Sequence, residues 1–350
     1  MHDALTALLE QHAPVGRETW RTWWDQLGDG SLDKAEVLAL LASLTSRLPD
    51  HHTLRHLLDS LAERRPAPPA TTCWQGTVNV VGTGGGPRTF NISTAAAFVA
   101  AAAGVKVVKT GSRAYTSSLG SVDLLERLGI RLTSSYAQTE DTLAAYGIAF
   151  AGPFVYPAQL TRLARTVAPL SMKPFGRFLN ALGPFFADLP VTAQVTGVSA
   201  AAPVDTLRRL AASTTSRRIW LTSNDTGADE LLPFATNTIH GDRSLTRIIR
   251  PGELTPPDGS FGDLRPAAEA AAAPGHFLSV LSGTAGRVAT RTVCLGAAAL
   301  VVASGTRRDW PSALSLAEAA VSSGAARDLA DRLAAGAAAP APRTLAPAHA

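Results

Sequence analysis

The chain has little of the chemistry that depends on cysteine or histidine. Its two cysteines, Cys73 and Cys294, lie far apart and have no CxxC pattern or histidine beside them. Neither a zinc site nor a disulfide framework is therefore indicated, and a reducing compartment fits. No histidine occurs between His56 and His240. A Ser-His-Asp or Cys-His mechanism consequently cannot be built from the loops between these positions.

Long apolar runs and an export signal are absent as well. The two longest apolar stretches, residues 95–108 and 293–303, are rich in alanine and interrupted by Gly or Lys. Both are shorter than the roughly 20 residues that a membrane helix needs, so we expect them to be buried core elements. The N-terminus is acidic and helical in pattern, where a signal peptide has a basic start and an apolar run. These features predict a cytoplasmic protein that has no membrane partner.

The net charge is small for the length of the chain. The formal charge of the 350 residues is +4. Arginine and lysine alternate with aspartate and glutamate along most of the sequence and form no basic tract. This pattern argues against nucleic acid as a partner.

The N-terminal part of the chain is predicted to be helical. Amphipathic patterns mark four helices, at residues 3–11, 17–27, 33–47 and 52–64. Ser31 and Asp33 are candidate N-caps. Three tryptophans on the second helix require cover, either within the chain or from a second copy. We expect a small helical domain over residues 1–65, joined by part of residues 155–185.

The rest of the chain alternates between short β-branched runs and helical patterns. This region covers residues 77–333 and follows a proline-rich linker over residues 66–76. Such alternation is typical of a mainly parallel sheet flanked by helices. We therefore predict an α/β fold in which a small N-terminal all-helical domain precedes a large α/β domain. Residues 334–350, almost all Ala and Pro, are expected to be a disordered tail.

A glycine-rich turn between a strand and a helix is the most informative segment. A buried strand ends in Gly82-Thr-Gly-Gly-Gly86, and a polar stretch from Asn91 to Thr94 then opens an alanine-rich helix. Glycines let backbone N–H groups approach an anion, and a helix N-terminus favours negative charge. The spacing matches neither the GxGxxG fingerprint nor a Walker A loop. The turn predicts an anion cradle, although a plain strand-to-helix turn would also contain glycines.

A second polar loop follows the next predicted strand. Lys109, at the end of that strand, leads into a loop that contains Arg113, Ser117 and Ser118 and ends at Ser121. Loops at the carboxyl ends of parallel strands share one edge of the sheet, so we expect these side chains near the bound anion. The alternative is that Lys109 and Arg113 make ordinary surface ion pairs.

Two adjacent carboxylates, Asp229 and Glu230, follow a third predicted strand at residues 218–222. Carboxylates at such a position suit Mg²⁺, which prefers oxygen ligands and is commonly shared between a protein and substrate phosphates. An acidic helix start that is favoured by the helix dipole is the alternative explanation.

Together these segments resemble the anthranilate phosphoribosyltransferases, which share a fold group with the thymidine and pyrimidine nucleoside phosphorylases. The family patterns GTGGD and TFNIST are similar to Gly82-Thr-Gly-Gly-Gly86 and Thr89-Phe-Asn-Ile-Ser-Thr94. The patterns KHGNR, SGSAD, FN.LGP, GV and GLDE are similar to residues 109–113, 119–123, 179–184, 197–198 and 227–230. These motifs occur in family order over roughly residues 77–325, and the N-terminal helices fit the family's small domain.

The resemblance implies transfer of a phosphoribosyl group from phosphoribosyl pyrophosphate to an aromatic acceptor, with Mg²⁺ as cofactor and a homodimer as the assembly. The residues implied to bind the donor are Gly82, Thr83, Gly84, Gly85, Thr89, Asn91, Ser93, Thr94, Lys109, Ser117, Ser118 and Ser121. Ser93, Asp229 and Glu230 are the implied metal ligands. Lys109, Asp229 and Glu230 are the implied catalytic residues, since charge grows on the departing pyrophosphate.

The departures from the family pattern fall mainly on the acceptor side. The residues implied to contact the acceptor are Thr110, Ser112, Tyr156, Met172, Lys173 and Arg177. Gly86 stands where the family has Asp, and Met172 and Lys173 are placed where it has an Arg pair. Replacement of a guanidinium by Met removes a bidentate partner of a carboxylate. The sequence therefore predicts an aromatic or heteroaromatic acceptor other than anthranilate.

Three other functions are compatible with the residues. The chain is a genuine anthranilate phosphoribosyltransferase of tryptophan biosynthesis if Lys173 or Arg177 receives the acceptor carboxylate. A nucleoside phosphorylase would use inorganic phosphate, and the TFNIST form and the acidic pair argue against it. The third is a non-catalytic family member that binds nucleic acid or protein. Gly86 favours that function, whereas the retention of Lys109 and Ser93 argues against it.

Overall fold

The computed structural model describes residues 1–65, 74–111, 119–241 and 246–338. The helices are α1 Asp3–Glu10, α2 Arg17–Asp29, α3 Lys34–Ser46, α4 His51–Ala62, α5 Ile92–Ala102, α6 Ser121–Arg127, α7 Tyr136–Tyr146, α8 Ala158–Val167, α9 Gly176–Phe186, α10 Val204–Ser213, α11 Ala273–Leu281, α12 Arg287–Ser304, α13 Trp310–Ser322 and α14 Ala325–Ala338. The strands are β1 Trp74–Gly82, β2 Lys106–Thr110, β3 Ile148–Ala151, β4 Val191–Gly197, β5 Arg218–Asn224, β6 Asn237–His240 and β7 Thr246–Ile249.

The strands form one sheet with the order β3-β2-β1-β4-β5-β6-β7. The first five strands along the chain pair in parallel, and β6 and β7 extend the sheet antiparallel. The predicted α/β fold with a mainly parallel sheet is confirmed. The chain runs outward from β1 through β2 to β3 and then returns to β4 on the other side of β1. The strand order therefore reverses between β1 and β4, and the carboxyl ends of strands at such a reversal are where ligands bind in open α/β sheets.

The N-terminal helices bury their apolar faces within the chain. Trp20, Trp23 and Trp24 of α2 are buried in a cluster that α1 to α4 share with α8 and α9. Trp24 Nε1 donates to Ser60 Oγ at 2.9 Å, and Trp20 Nε1 donates to the Thr53 carbonyl at 3.2 Å. The three tryptophans therefore receive their cover from this chain, which was one of the two alternatives left by the sequence.

The two alanine-rich stretches lie in the core of the α/β region, as predicted. α5 and α12 pack against each other and against the sheet in a second apolar cluster. α12 is the one helix of the described residues whose length and composition would allow it to cross a membrane. Most of it is buried by other parts of the chain. Small side chains allow this close packing, since a Cβ added at Gly296 would lie 3.1 Å from Ala96 Cβ.

Several predicted boundaries are wrong by a few residues. The predicted linker ended at residue 76, but β1 begins at Trp74, whose N–H donates to the Pro190 carbonyl at 2.9 Å. A bulge at Gly76, with φ of +69°, separates this early pairing from the regular ladder. Residues 334–338 belong to α14, because an alanine-rich segment continues the helix that precedes it. Residues 66–73 of the predicted linker and 339–350 of the predicted tail lie outside the described residues.

Other elements were not anticipated. Strands β3, β6 and β7 are not predicted from the sequence, and each is only four residues long. Asp33 was one of two candidate caps, and it is the N-cap of α3, where its side chain accepts from the Ala35 N–H at 2.6 Å. The two sequence candidates could not be separated by residue type, because Ser and Asp are both favoured at N-caps.

Close packing of the last residue of β4 generates a stability prediction. A Cβ built on Gly197 would lie 1.8 Å from the Asp229 carbonyl oxygen and 2.8 Å from its carbonyl carbon. Backbone atoms cannot rotate away, so we expect Gly197→Ala to lower the free energy of unfolding by about 2–3 kcal/mol. Urea unfolding followed by circular dichroism measures this loss.

Gly183 of α9 provides the matched control, because no atom lies within 4 Å of a Cβ built there. Alanine is the better helix former, so Gly183→Ala should stabilise the protein by roughly 0.5–1 kcal/mol. Equal effects of the two substitutions on the free energy of unfolding would show that the close contact between β4 and the Asp229 backbone does not make Gly197 necessary for stability.

Candidate functional site

The candidate site lies at the carboxyl ends of the central strands. The glycine-rich turn follows β1, Lys109 lies near the end of β2, and Ser199 follows β4. The acidic pair follows β5. Because these strands are parallel neighbours, their loops share one edge of the sheet. The sheet thus brings together distant segments of the chain, as the bond from Gly84 to Asp229 shows (separation 145 residues).

Hydrogen bonds from the end of β4 and the loop after it fix the conformation of the glycine-rich turn. Gly84 and Gly85 have φ of +61° and +80°, a left-handed conformation that favours glycine. The Thr83 N–H donates to the Gly197 carbonyl at 2.8 Å, and Thr83 Oγ1 accepts from the Ser199 N–H at 3.1 Å. Ser199 Oγ donates to the Gly84 carbonyl at 2.6 Å. The shape of the turn therefore depends on β4 as well as on its own glycines.

The acidic pair lies against this turn. Asp229 Oδ2 accepts from the Gly84 N–H at 2.9 Å, and Thr89 Oγ1 donates to Glu230 Oε1 at 3.0 Å. Asn224 shapes the loop that carries them, since its Oδ1 accepts from the Ala228 N–H at 3.2 Å and its Nδ2 donates to the Glu230 carbonyl at 2.7 Å. One N–H of the turn, that of Gly84, thus already binds a carboxylate of the same chain, as expected for a turn that suits an anion.

Glycines, which have no side chain, allow the acidic pair to approach the turn this closely. A Cβ on Gly82 would lie 2.4 Å from Asp229 Oδ2. A Cβ on Gly86 would lie 3.2 Å from the Gly227 carbonyl oxygen and 3.3 Å from Ala228 Cα. Gly86, the position at which the family pattern has Asp, is therefore packed closely against the backbone of the acidic loop.

Lys109 reaches the site from the end of β2. The residue is 4% exposed, and Nζ donates to Ser93 Oγ at 3.1 Å and towards the Val80 carbonyl at 3.4 Å. Burial lowers the pKa of Lys109 to about 8, and the nearby carboxylates of Asp229 and Glu230 oppose that shift. The lysine therefore contributes a positive charge in a region of low dielectric, where it acts strongly on nearby anions.

Glu230 is the carboxyl group most affected by its surroundings. Burial raises its pKa well above the ordinary value, and the adjacent Asp229 carboxylate raises it further, whereas the Thr89 hydroxyl lowers it. Glu230 Oε2 is buried and has no hydrogen-bond partner in the described part of the chain. Two neighbouring carboxylates with an unsatisfied oxygen are a suitable start for a divalent cation site. The described residues contain no group of three or more His, Cys, Asp or Glu side chains that could hold a metal on its own.

The structure describes three of the remaining residues predicted on the donor side. Asn91 is the N-cap of α5 but makes no side-chain hydrogen bond to the helix, so its amide is available to a ligand. Thr94 is buried in the same helix, and its hydroxyl lacks a partner among the described residues. Ser121 begins α6 and lies against Gly111 at the end of β2. Arg113, Ser117 and Ser118 lie outside the described residues.

Ser93, predicted to be a metal ligand, lies beside Lys109. Its hydroxyl accepts from Lys109 Nζ at 3.1 Å, and no hydrogen bond joins it to Asp229 or Glu230 in the parts of the chain that are described. The structure thus brings Ser93 to the lysine and leaves its role at a metal as a prediction.

The predicted acceptor residues are divided between the sheet edge and the helical layer. Thr110 ends β2, and Tyr156 lies beside it, where burial raises the pKa of the tyrosine and Thr110 lowers it. Met172 packs against the apolar cluster around α1 to α4. Lys173 and Arg177 are exposed at the start of α9. Ser112 lies outside the described residues.

Three residues were not singled out from the sequence. Asn180 of α9 lies close to the turn, with Nδ2 3.9 Å from a Cβ built on Gly84. Ser199 and Asn224 hold the turn and the acidic loop through the bonds described above. Asn180 stood inside a recognised motif, so it could have been proposed, whereas Ser199 carries no pattern that separates it from other serines.

Known proteins share both the sequence and the fold of this chain. A model of the glycosyl transferase family a/b domain matches residues 75–327. The anthranilate phosphoribosyltransferase of Methylorubrum extorquens (strain PA1) is 32% identical over 336 residues, which cover 93% of this chain and 96% of that protein. The anthranilate phosphoribosyltransferase of Methylobacterium nodulans is 34% identical over 333 residues, which cover 92% and 94%.

Solved structures show the same likeness. The crystal structure of anthranilate phosphoribosyltransferase from Thermus thermophilus is similar with a TM-score of 0.76 and 25% identity, over 96% of this chain and 100% of that chain. The Saccharomyces cerevisiae enzyme in complex with PRPP and Mg has a TM-score of 0.73 and 19% identity, over 92% of each chain. The second likeness supports the fold alone.

The raised pKa of Glu230 predicts a pH-dependent stability in the absence of divalent cations. The unfolded chain titrates this group near 4.5, and the folded protein titrates it at a higher pH. Between those values the folded state binds more protons than the unfolded state, so the wild type loses stability as the pH rises. Glu230→Gln removes this loss and keeps the acceptor for Thr89. We expect it to stabilise the protein at pH 7 and to have no effect near pH 4.

Thermal melting in EDTA across this pH range measures the difference. Glu269→Gln is the control, since Glu269 is exposed and should leave the pH dependence unchanged. A Glu230→Gln variant whose stability relative to wild type did not change with pH would contradict the prediction.

Proposed function

This chain belongs to the glycosyl transferase family and, within it, to the family of the anthranilate phosphoribosyltransferases. From that premise we propose that it moves the 5-phosphoribosyl group of phosphoribosyl pyrophosphate to an aromatic acceptor other than anthranilate. It is a pentosyl-transferring enzyme. The donor, its metal and the acceptor are the parts of the proposal that the geometry of the site supports.

The contact between the glycine-rich turn and the acidic pair carries the proposal for the donor. The turn presents the Gly84 N–H to a carboxylate, in the bond of 2.9 Å to Asp229. Lys109 contributes a buried positive charge beside Ser93 on the neighbouring strand. Anion donors, a cation and two carboxylates in one crevice fit a donor that carries several phosphates together with a bound metal.

Asp229 and Glu230 are the residues proposed to hold Mg²⁺. The unpartnered Glu230 Oε2 and the mutual repulsion of the two carboxylates support this assignment, because a divalent cation would satisfy both. Two protein carboxylates leave most of the coordination sphere to substrate phosphates and water, as is common for Mg²⁺. The chemistry that the metal supplies when bound is neutralisation of charge on the pyrophosphate.

The reaction proposed for this site is displacement of pyrophosphate from the anomeric carbon through an oxocarbenium-like transition state. The bond from that carbon to the pyrophosphate oxygen breaks, and a bond to the nucleophilic atom of the acceptor forms. Lys109 would offset negative charge that grows on the leaving group, and the N–H groups of the turn would hold the phosphates. Asn91 would orient the donor. Positioning of the acceptor next to the anomeric carbon lowers the barrier further, so no protein nucleophile is required.

The acceptor side supports a substrate other than anthranilate. Met172 packs in an apolar cluster, so it offers no partner for a carboxylate at its position. Loss of a bidentate guanidinium contact in a partly desolvated site costs about 1.5–3 kcal/mol, or about ten- to a hundredfold in binding. Tyr156 and Thr110 provide an aromatic ring and a hydroxyl at the sheet edge, which suit a flat, weakly polar acceptor.

Anthranilate itself is the second candidate. Relatives that share more than 30% identity with this chain are anthranilate phosphoribosyltransferases. Arg177 is exposed, and it begins the same helix that directs Asn180 towards Gly84. A guanidinium there would be able to receive an acceptor carboxylate in place of the family's Arg pair.

The assembly and the location of the protein stay predictions. A homodimer through the helical layer and a cytoplasmic location follow from the resemblance and from the composition.

Pyrophosphate release tests the proposal directly. The protein would be incubated with phosphoribosyl pyrophosphate, Mg²⁺ and one acceptor at a time from anthranilate, substituted benzoates and heteroaromatic acids, and the product would be identified by mass spectrometry. We expect turnover with a non-anthranilate acceptor and a kcat/KM for anthranilate that is at least about tenfold lower.

Two variants control this experiment. Asp229→Ala/Glu230→Ala should abolish turnover. Asp225→Asn should not, since Asp225 is an exposed acid of the same loop whose carboxylate accepts from the Thr236 N–H and the amide keeps that acceptor. Fastest turnover of anthranilate would establish the second candidate. Donor binding without product from any acceptor would count against catalysis of this transfer.

A substitution at Arg177 separates the roles of the exposed cations. If the acceptor carries a carboxylate, Arg177→Gln should raise its KM about tenfold and leave the KM of the donor within about twofold, because a bidentate contact is lost. Steady-state kinetics with each substrate varied in turn measures both values. Arg165→Gln on α8 is an exposed control that should change neither. An unchanged acceptor KM in Arg177→Gln would show that Arg177 does not contact the acceptor carboxylate.

A further inference from the structure

We propose that Arg217 is a positioning residue, which fixes the C-terminal end of α9 to strands β1 and β4 and thereby sets the place of the acceptor side relative to the glycine-rich turn. The inference rests on the proposed function for its kinetic consequences, and on the packing of α9 for its structural ones. Arg217 lies outside every loop of the candidate site, directly before β5.

Arg217 is a buried arginine whose guanidinium binds neutral oxygens. The residue is 9% exposed. Its Nε donates to Gln194 Oε1 at 2.9 Å, and its Nη2 donates to the carbonyls of Pro184 at 3.3 Å and Ala187 at 3.2 Å. One side chain thus joins the sheet to the last turn of α9.

Gln194 completes the connection to the strands that end at the site. Its Oε1 accepts from Asn79 Nδ2 at 3.1 Å, and its Nε2 donates to the Pro184 carbonyl at 3.0 Å and to Thr196 Oγ1 at 2.9 Å. Asn79 pairs with Gln194 in the parallel ladder of β1 and β4, three residues before Gly82 pairs with Gly197. The strands that carry the turn and its support therefore also hold α9.

The C-terminal end of α9 needs hydrogen-bond donors from outside the helix. The last carbonyls of a helix have no intrahelical partner, and Pro184 has no N–H to continue the pattern within the helix. A guanidinium at this end is also favoured by the helix dipole. Burial lowers the pKa of Arg217 to about 10, so the side chain keeps its charge at neutral pH. The interaction is strong because a charged donor binds several carbonyls in a region of low dielectric.

A second arginine binds the same segment from the other side. Arg65, three residues after the end of α4, donates to the Phe186 carbonyl and lies 3.7 Å from the Asp188 carboxylate. Tyr136 of α7 donates its hydroxyl to the Asp188 carbonyl at 3.2 Å. Residues 184–188 are thus held by the sheet, by the helical layer and by α7.

The position of α9 matters because its other residues face the site. Asn180 lies about one helical turn before Pro184, or about 6 Å along the axis, and its amide is 3.9 Å from a Cβ built on Gly84. Arg177 lies one further turn away. A helix moves largely as a rigid body, so a shift at Pro184 moves the side chains that face the acceptor and leaves Lys109, Asp229 and Glu230 on the sheet edge in place.

Arg217→Met tests the proposal, because it keeps the length and apolar stem of the side chain and removes the guanidinium. We expect the KM of the acceptor to rise about tenfold and the KM of phosphoribosyl pyrophosphate to stay within about twofold. Hydrolysis of the donor in the absence of acceptor should be unchanged, since its residues lie on the sheet. Arg217→Lys should recover only part of the acceptor KM, because an ammonium cannot reproduce the fork.

Hydrogen exchange gives a readout that does not need turnover. In Arg217→Met, the amides of residues 176–187 should exchange faster than in wild type, whereas those of β5 should not. Arg208→Met is the control, since Arg208 is exposed on α10 and pairs with Asp205 at 3.3 Å; it should change neither kinetics nor exchange.

The outcomes separate the two proposals. No pyrophosphate release by the wild type with any acceptor would overturn the proposed function and leave hydrogen exchange to decide the role of Arg217. A lower melting temperature with equal changes in both KM values, or with unchanged exchange over residues 176–187, would overturn the positioning role and make Arg217 a purely structural residue. If Arg217→Met does not fold, Arg217→Lys is subject to the same criteria.

Discussion

The close approach of the loop after β5 to the ends of β1 and β4 is the constraint on which the candidate site depends. The Asp229 backbone lies so near Gly197 that no side chain fits between them. The Asp229 carboxylate lies where a Cβ on Gly82 would clash with it. Because three segments meet at glycines, the acidic pair comes within hydrogen-bond distance of the turn. A larger residue at either position would separate the anion donors from the carboxylates, and one crevice would become two unrelated loops.

This approach also sets the electrostatics of the site. Burial disfavours charge on both Lys109 and Glu230, which lowers the pKa of the first and raises the pKa of the second. Each group would be stabilised by a ligand of opposite charge, and a phosphorylated donor with a divalent cation supplies both charges at once. If the proposed donor and metal bind here, this charge distribution favours binding of the complete metal-donor pair over binding of either part.

The sequence was informative where a function requires a residue type with few substitutes. Glycines in a left-handed turn, a lysine at a strand end and adjacent carboxylates after a strand could be recognised, as could the alternation that produces a mainly parallel sheet. Asn224, Ser199 and Arg217 could not, because their roles depend on partners 23 to 116 residues away or on loop geometry. Short strands such as β6 were missed for a related reason, since four residues carry too little periodicity to distinguish a strand from a loop.

The division of the proposed site between two layers is consistent with a family motif that is retained on the proposed donor side and altered on the proposed acceptor side. The proposed donor residues lie on loops of the sheet, where a change at Gly82 or Gly197 disturbs the backbone of a neighbouring loop. The proposed acceptor residues of the helical layer lie on α9 and the turn before it, where the side chains of Lys173 and Arg177 are exposed to solvent. Substitutions there cost little stability, provided that the end of α9 stays attached at Pro184. A fold of this kind can therefore change its acceptor without rebuilding its donor site, because the attachment of the helix and the identity of its exposed residues are separate properties.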